Sequence, residues 1–273
     1  MAGTYVIPDG NQEIATEIPR IVESIAHTAR WVHPKTFREL PVWCPWAARG
    51  RPLYEKTWQR RSTNTRRDTK ATSEKLEANV DAGKALVVAL GVASPKPSNW
   101  TVCHIWGYDD EAFASQSSIV RNPRYYSCVG NMVWLPTPLK GFTDALPEIK
   151  QMLRTCAFNL YGWACEDESV KDQGESIRGG AIPQGYPEIW PSANRPELLP
   201  PGTAPFTSAI KDEIRKRKAK IGAMLADPNL TNFPREEVRQ VLEFWKIDIS
   251  PGRDDANNSS TTAPINRNTL QSQ

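Results

Sequence analysis

Twenty-three prolines in 273 residues constrain this chain more than any other feature. Proline has no amide hydrogen to give a helix or sheet interior, so it opens an element, ends one or lies between two. Much irregular, loop-rich structure between short elements is therefore expected. The densest stretch is GGAIPQGYPEIWPSANRPELLPPGTAP, residues 179–205. It reads as a connector that wraps over a surface or links to a small helical unit. Ten tryptophans add large apolar bodies that anchor a core or stack on flat ligands.

Between the prolines, periodicity marks the elements. Ile18 to Val32 has apolar residues at helical spacing, with Pro19 tolerated in the first turn. His27 fits the surface or packing face of that helix, and His33, before Pro34, fits its exit. Val42 to Lys75 lacks clear periodicity and reads as an extended basic loop. Glu77 to Val92 reads as a helix ended by Gly91 and the SPKP that follows. NWTVCHIW is rich in β-branched and aromatic residues and predicts a strand. Asp109 to Arg124 is a polar connection, and Tyr125 to Pro136 predicts a second strand with a glycine inside it. Thr143 to Trp163 predicts a helix capped by Thr143 or Asp144, with an apolar stripe at 146, 149, 153, 156, 157 and 160. Phe206–Asp227 and Arg235–Trp245 would form the C-terminal helical unit, and the polar residues after Ser250 a disordered tail.

Hydrophobic residues at 39% and charged residues at 24% are the proportions of a soluble globular protein. The net charge is only +3, but the basic residues are unevenly spread. One cluster runs from Arg49 to Lys75 and another from Lys211 to Lys220. The five cysteines form no C-x-x-C pair, which argues against a zinc ribbon and fits reduced thiols in the cytoplasm. The opening MAGTYVIPDGNQEIATE has neither a basic start nor an apolar run, so no secretory leader is expected. No apolar run is long enough to span a membrane.

The middle of the chain thus orders a strand bearing His104 in CHIW, a long loop, a strand bearing Asn131 in VGNMVWLPTPLKGFTD, and a helix start at Thr143/Asp144. This order resembles the HNH nucleases of the ββα-metal class, over roughly Trp100 to Arg154. The resemblance implies a small ββα core within a mostly helical, loop-rich α+β protein. It implies that His104 is the general base for DNA phosphodiester hydrolysis, that Asn131 orients it, and that Asp144 with Asp109 or Asp110 binds Mg²⁺, or Mn²⁺ in its place. The chemistry is consistent with those residue types. Imidazole has a pKa suited to activating water near neutrality, and a hard cation with oxygen ligands stabilises the developing charge. Two positions depart from the family pattern. Cys103 stands where an acid or another metal ligand is usual, and Leu139 and Lys140 stand where the family has histidine or asparagine.

Two rival constellations are present. Glu148-Ile149-Lys150 is an E-x-K triplet, which a PD-(D/E)xK nuclease carries on a strand, whereas here it follows Pro147 in a helical pattern. Tyr125-Tyr126 beside Arg121 and Arg124 resembles a tyrosine nucleophile on DNA, although adjacent strand aromatics usually pack. Arg49, Arg51, Arg60, Arg61, Arg66, Arg67 and Lys70, interleaved with Trp46, Tyr54 and Trp58, are the expected DNA grip, with Lys140 beside the core.

The reading divides the chain into a helical and basic-loop region (1–76), an HNH-like core (77–178), a connector with a helical appendage (179–250) and a tail (251–273). Expected is a cytoplasmic, metal-dependent endonuclease acting on double-stranded DNA, in a restriction or other defence setting, with a homodimer left open. The alternative is a non-catalytic nucleic-acid-binding protein of the same fold that has lost its metal site.

Overall fold

A computed structural model describes residues 7–49, 62–65, 72–75, 80–107, 118–230 and 233–250. The first described helices are α1 (Gly10–Glu13), α2 (Ile18–Thr28) and α3 (Pro34–Glu39). The short strands β1 (Ser62–Thr65) and β2 (Thr72–Lys75) follow, then α4 (Val80–Ala89) and β3 (Trp100–His104). Two single-turn helices, α5 (Ser118–Arg121) and α6 (Pro123–Tyr126), lead to β4 (Met132–Pro136). Among the described residues the α-helices that follow are α7 (Thr137–Ala145), α8 (Pro147–Tyr161), α9 (Lys171–Arg178), α10 (Ser208–Ala226) and α11 (Arg235–Phe244). The protein is α+β and mostly helical, with β3, β4 and α7 following as strand, strand and helix. Among the described residues no helix is long and apolar enough to cross a membrane.

β3 and β4 pair antiparallel, with Trp100 opposite Pro136 and His104 opposite Met132. Alternation places Trp100, Val102, His104 and Trp134 on one face and Cys103 and Val133 on the other. The free edge of β4 is covered by Arg30, which exchanges backbone hydrogen bonds of 2.9 and 3.1 Å with Trp134. That pairing explains why α2 stops at Thr28 although the apolar pattern reaches Val32. Arg30 and Trp31 are drawn into the sheet, and the Arg30 guanidinium donates to the carbonyl of Thr28 at 2.9 Å. Trp31 in turn bridges to the 200–205 segment, accepting from Ala204 and donating to Gly202. A Cβ on Gly202 would lie 1.8 Å from the Ala29 carbonyl oxygen, so only glycine permits this approach.

The proline-rich segment is thereby a strap. Trp190 is buried, packs edge-on against Trp31 at 5.9 Å, and donates from Nε1 to the Ala26 carbonyl. One hydrophobic core runs from Val22 of α2 to Leu242 of α11. The C-terminal helices share it, since Trp245 packs on Trp163 and Phe37 and donates to the Arg124 carbonyl at 2.9 Å. The expected appendage therefore packs onto the same core as the rest of the chain.

Local differences from the expected elements have local causes. Residues 62–65 and 72–75 pair as strands within the segment expected to be loop. Tyr125 and Tyr126 lie in the helical turn α6, because Asn122 caps it through Arg124 N and Pro123 occupies its first position. The helix expected over 143–163 is two helices. Leu146 is extended (φ −118°, ψ 101°) as a residue before proline prefers, and Pro147 opens α8. Thr143 and Asp144 therefore lie in the last turn of α7, not at a helix start. α4 ends as expected at Gly91 (φ +68°), with Val92 N bonding back to the Val87 carbonyl.

Candidate active site

His104 closes β3, and the ladder continues one step beyond it through Ile105 N to the Asn131 carbonyl at 3.0 Å. Its imidazole stacks on the Tyr126 ring, with centroids 5.5 Å apart and planes inclined by 17°. Nε2 lies 2.8 Å from the Tyr126 carbonyl oxygen. A carbonyl can only accept, so Nε2 donates and carries the proton, and Nδ1 is the basic nitrogen of the neutral ring. This is the tautomer control that a general-base histidine needs, supplied by a backbone carbonyl.

Asn131 was expected to supply that control itself. The structure corrects this. Its side chain is fully buried, and Oδ1 accepts from Trp106 N at 2.7 Å while Nδ2 donates to the Tyr125 carbonyl at 3.2 Å. Asn131 thus joins the turn leaving β3 to the turn that carries Tyr126. It positions His104 through those two segments rather than by touching the ring.

Arg154 of α8, which the sequence reading passed over, braces the same turn. It is 4% exposed, donates from Nε to the Ile105 carbonyl at 2.7 Å, lies 4.8 Å from the Trp106 ring centroid, and bonds Gln173. The cue in the sequence was an arginine immediately beside the apolar stripe at 153, 156 and 157.

The metal half of the expected site is not assembled by the described residues. Cys103 faces α7, where its Sγ lies 3.2 Å from Thr143 Oγ1, and burial raises its pKa. A protonated thiol is not a magnesium ligand. Thr143 donates to the Lys140 carbonyl at 2.8 Å. Asp144 is ion-paired with Lys140 one turn earlier on the same helix, which occupies both a proposed metal ligand and a proposed DNA contact. By strand alternation α7 covers the Cys103 face of the sheet, opposite the face of His104. Among the described residues no three His, Cys, Asp or Glu side chains cluster to hold a metal ion. Asp109 and Asp110 lie outside the described residues, as do Arg51, Arg60, Arg61, Arg66, Arg67, Lys70 and the 251–273 tail.

Arg49 is half-buried, and its backbone N–H bonds the Val120 carbonyl of α5 at 2.8 Å. An open cleft of about 380 Å³ lies there, lined by Arg121, Asn122 and Arg124 and by Glu237 and Gln240 of α11. The rival constellations pack as structure. Tyr125 and Tyr126 are buried, and burial raises the Tyr125 pKa, which is the wrong direction for a nucleophile. Glu148 and Lys150 stand in the first turn of α8, with Lys150 2% exposed.

Comparison of the chain with protein-family models, with curated proteins and with solved structures finds no match.

Proposed function

We propose that the protein hydrolyses DNA phosphodiester bonds, with His104 as the general base for the attacking water. The observation that carries this reading is the 2.8 Å bond from His104 Nε2 to the Tyr126 carbonyl within a strand–strand–helix unit. It fixes ring and tautomer before substrate arrives. Asn131 and Arg154 are positioning residues, since they hold the two turns on which that bond depends. The Arg49 to Lys70 segment and the Arg121/Arg124 cleft are the proposed contacts to the phosphate backbone. A divalent cation, Mg²⁺ or Mn²⁺, would stabilise the charge that develops on phosphate, but the described donors do not form its site. Asp109 and Asp110 are the remaining proposed ligands.

The second reading is a nucleic-acid-binding protein without catalysis. The Lys140–Asp144 pair and the buried, protonated Cys103 favour it. Nicking of supercoiled plasmid in Mg²⁺ or Mn²⁺ separates the two. The hydrolase reading requires cleavage by the wild type and its loss in His104→Ala. Salt-sensitive DNA binding without cleavage leaves the binding reading alone.

A further inference from the structure

A second opening lies on the Trp100–Trp134 face of the sheet, away from the His104 turn. It is a cavity of about 520 Å³ between the end of α2, the exit of α4 and the 201–205 part of the strap. α4 separates it from His104, since Gly83 packs over Val102 in the middle of β3. The Trp100 and Trp134 rings form one wall, 4.8 Å apart and tilted by 32°. Two cations are set on that wall, with the Arg30 guanidinium 5.2 Å from the Trp100 centroid and Lys96 Nζ 5.5 Å from that of Trp134. Arg30 is fixed by its bonds to the carbonyls that end α2, whereas Lys96 is exposed and able to swing.

An aromatic wall and flanking cations together match a planar heterocycle that carries an anion. Bases stack on aromatic faces, and Arg and Lys neutralise phosphate.

We infer that this cavity binds a nucleoside phosphate, either free or as the end of a strand. The base lies against Trp100, the partly exposed ring of the pair, and the phosphate lies toward Arg30 and Lys96. This site does not depend on His104 being catalytic.

Calorimetric titration of the full chain with 5′-AMP, adenosine, inorganic phosphate and a short deoxyadenylate oligomer tests it. AMP or the oligomer is expected to bind saturably, and adenosine and phosphate each at least tenfold more weakly. Preference for AMP identifies a free nucleotide, and preference for the oligomer identifies a strand end. Lys96→Glu, at an exposed position, should weaken binding at least tenfold. Binding should be unchanged in His104→Ala, which keeps this test separate from the nuclease reading. Absence of saturable binding by any probe at millimolar concentration, or unchanged affinity in Lys96→Glu, would overturn the proposal.

Discussion

The amide of Asn131 and the backbone of Trp106 meet at 2.7 Å across 25 residues of sequence. The same amide donates to the Tyr125 carbonyl, so one buried side chain ties together the two turns around His104. Asn131→Ala would leave the Trp106 N–H unpaired and remove one of the two donors to the Tyr125 carbonyl, which keeps Cys128 N at 3.2 Å. A buried group left unpaired costs about 1–3 kcal/mol, and a loss of that size is expected in urea unfolding. Asn131→Asp should be no milder, because it sets a carboxylate against the Tyr125 carbonyl. A change under about 0.5 kcal/mol, the scale of an ordinary surface substitution, would show that the amide does not tie these turns.

Arg154 braces the same turn from α8. Arg154→Met keeps apolar bulk under Trp106 but leaves the Ile105 carbonyl without its donor, and should cost about 2–3 kcal/mol. Arg154→Lys should recover only part, since an ammonium cannot lie flat on the indole while reaching both Ile105 and Gln173. Full recovery by lysine in thermal or urea unfolding would assign Arg154 a role of charge alone.

His33 caps α3 by accepting from Lys35 N at its Nδ1, 3.0 Å away, so the cap needs the neutral ring. Burial, then Lys35 and Arg38, lower its pKa from the ordinary 6.5. The folded state therefore holds the proton more weakly than the unfolded chain. The stabilisation is full above pH 6.5 and is lost as pH falls through the lowered folded value. Asparagine caps without titrating. The stability of His33→Asn relative to wild type should thus rise between about pH 7.5 and pH 5. A gap independent of pH would mean that protonation does not break the cap.

All five cysteines are buried free thiols. Burial pushes Cys44 and Cys165 up to about 12 and raises Cys103, Cys128 and Cys156 as well. Since the thiolate is the reactive form, iodoacetamide at about pH 8 should leave the native protein unlabelled and modify all five after denaturation. Intact mass spectrometry reads this directly. Rapid native labelling of any one would place that thiol at the surface.

The strand bearing His104, the glycine that ends α4 and the buried stripe of α8 were legible, because each follows from nearest neighbours and periodicity. The break at Leu146-Pro147 and the turn at Asn122-Pro123 were equally local. Their cues are present, but the surrounding apolar pattern runs across them. The work of Asn131 was not legible, since its partners are backbone groups brought close by strand pairing and by a turn. The pairing of Asp144 with Lys140 is a four-residue helical spacing, visible only once 137–145 is read as helix. The Trp100–Trp134 wall depends on register, and no single-strand pattern specifies which residue a strand will face.

In the proposed hydrolysis His104 is a base held ready by Tyr126. That role is tested most directly by the ratio of plasmid-nicking rates of wild type and His104→Ala, in Mg²⁺ or Mn²⁺, with both proteins shown to be folded to the same extent. General-base catalysis contributes about 100-fold or more, so the ratio should reach at least that. A ratio near one, or no nicking by the wild type on DNA of varied sequence, would contradict it.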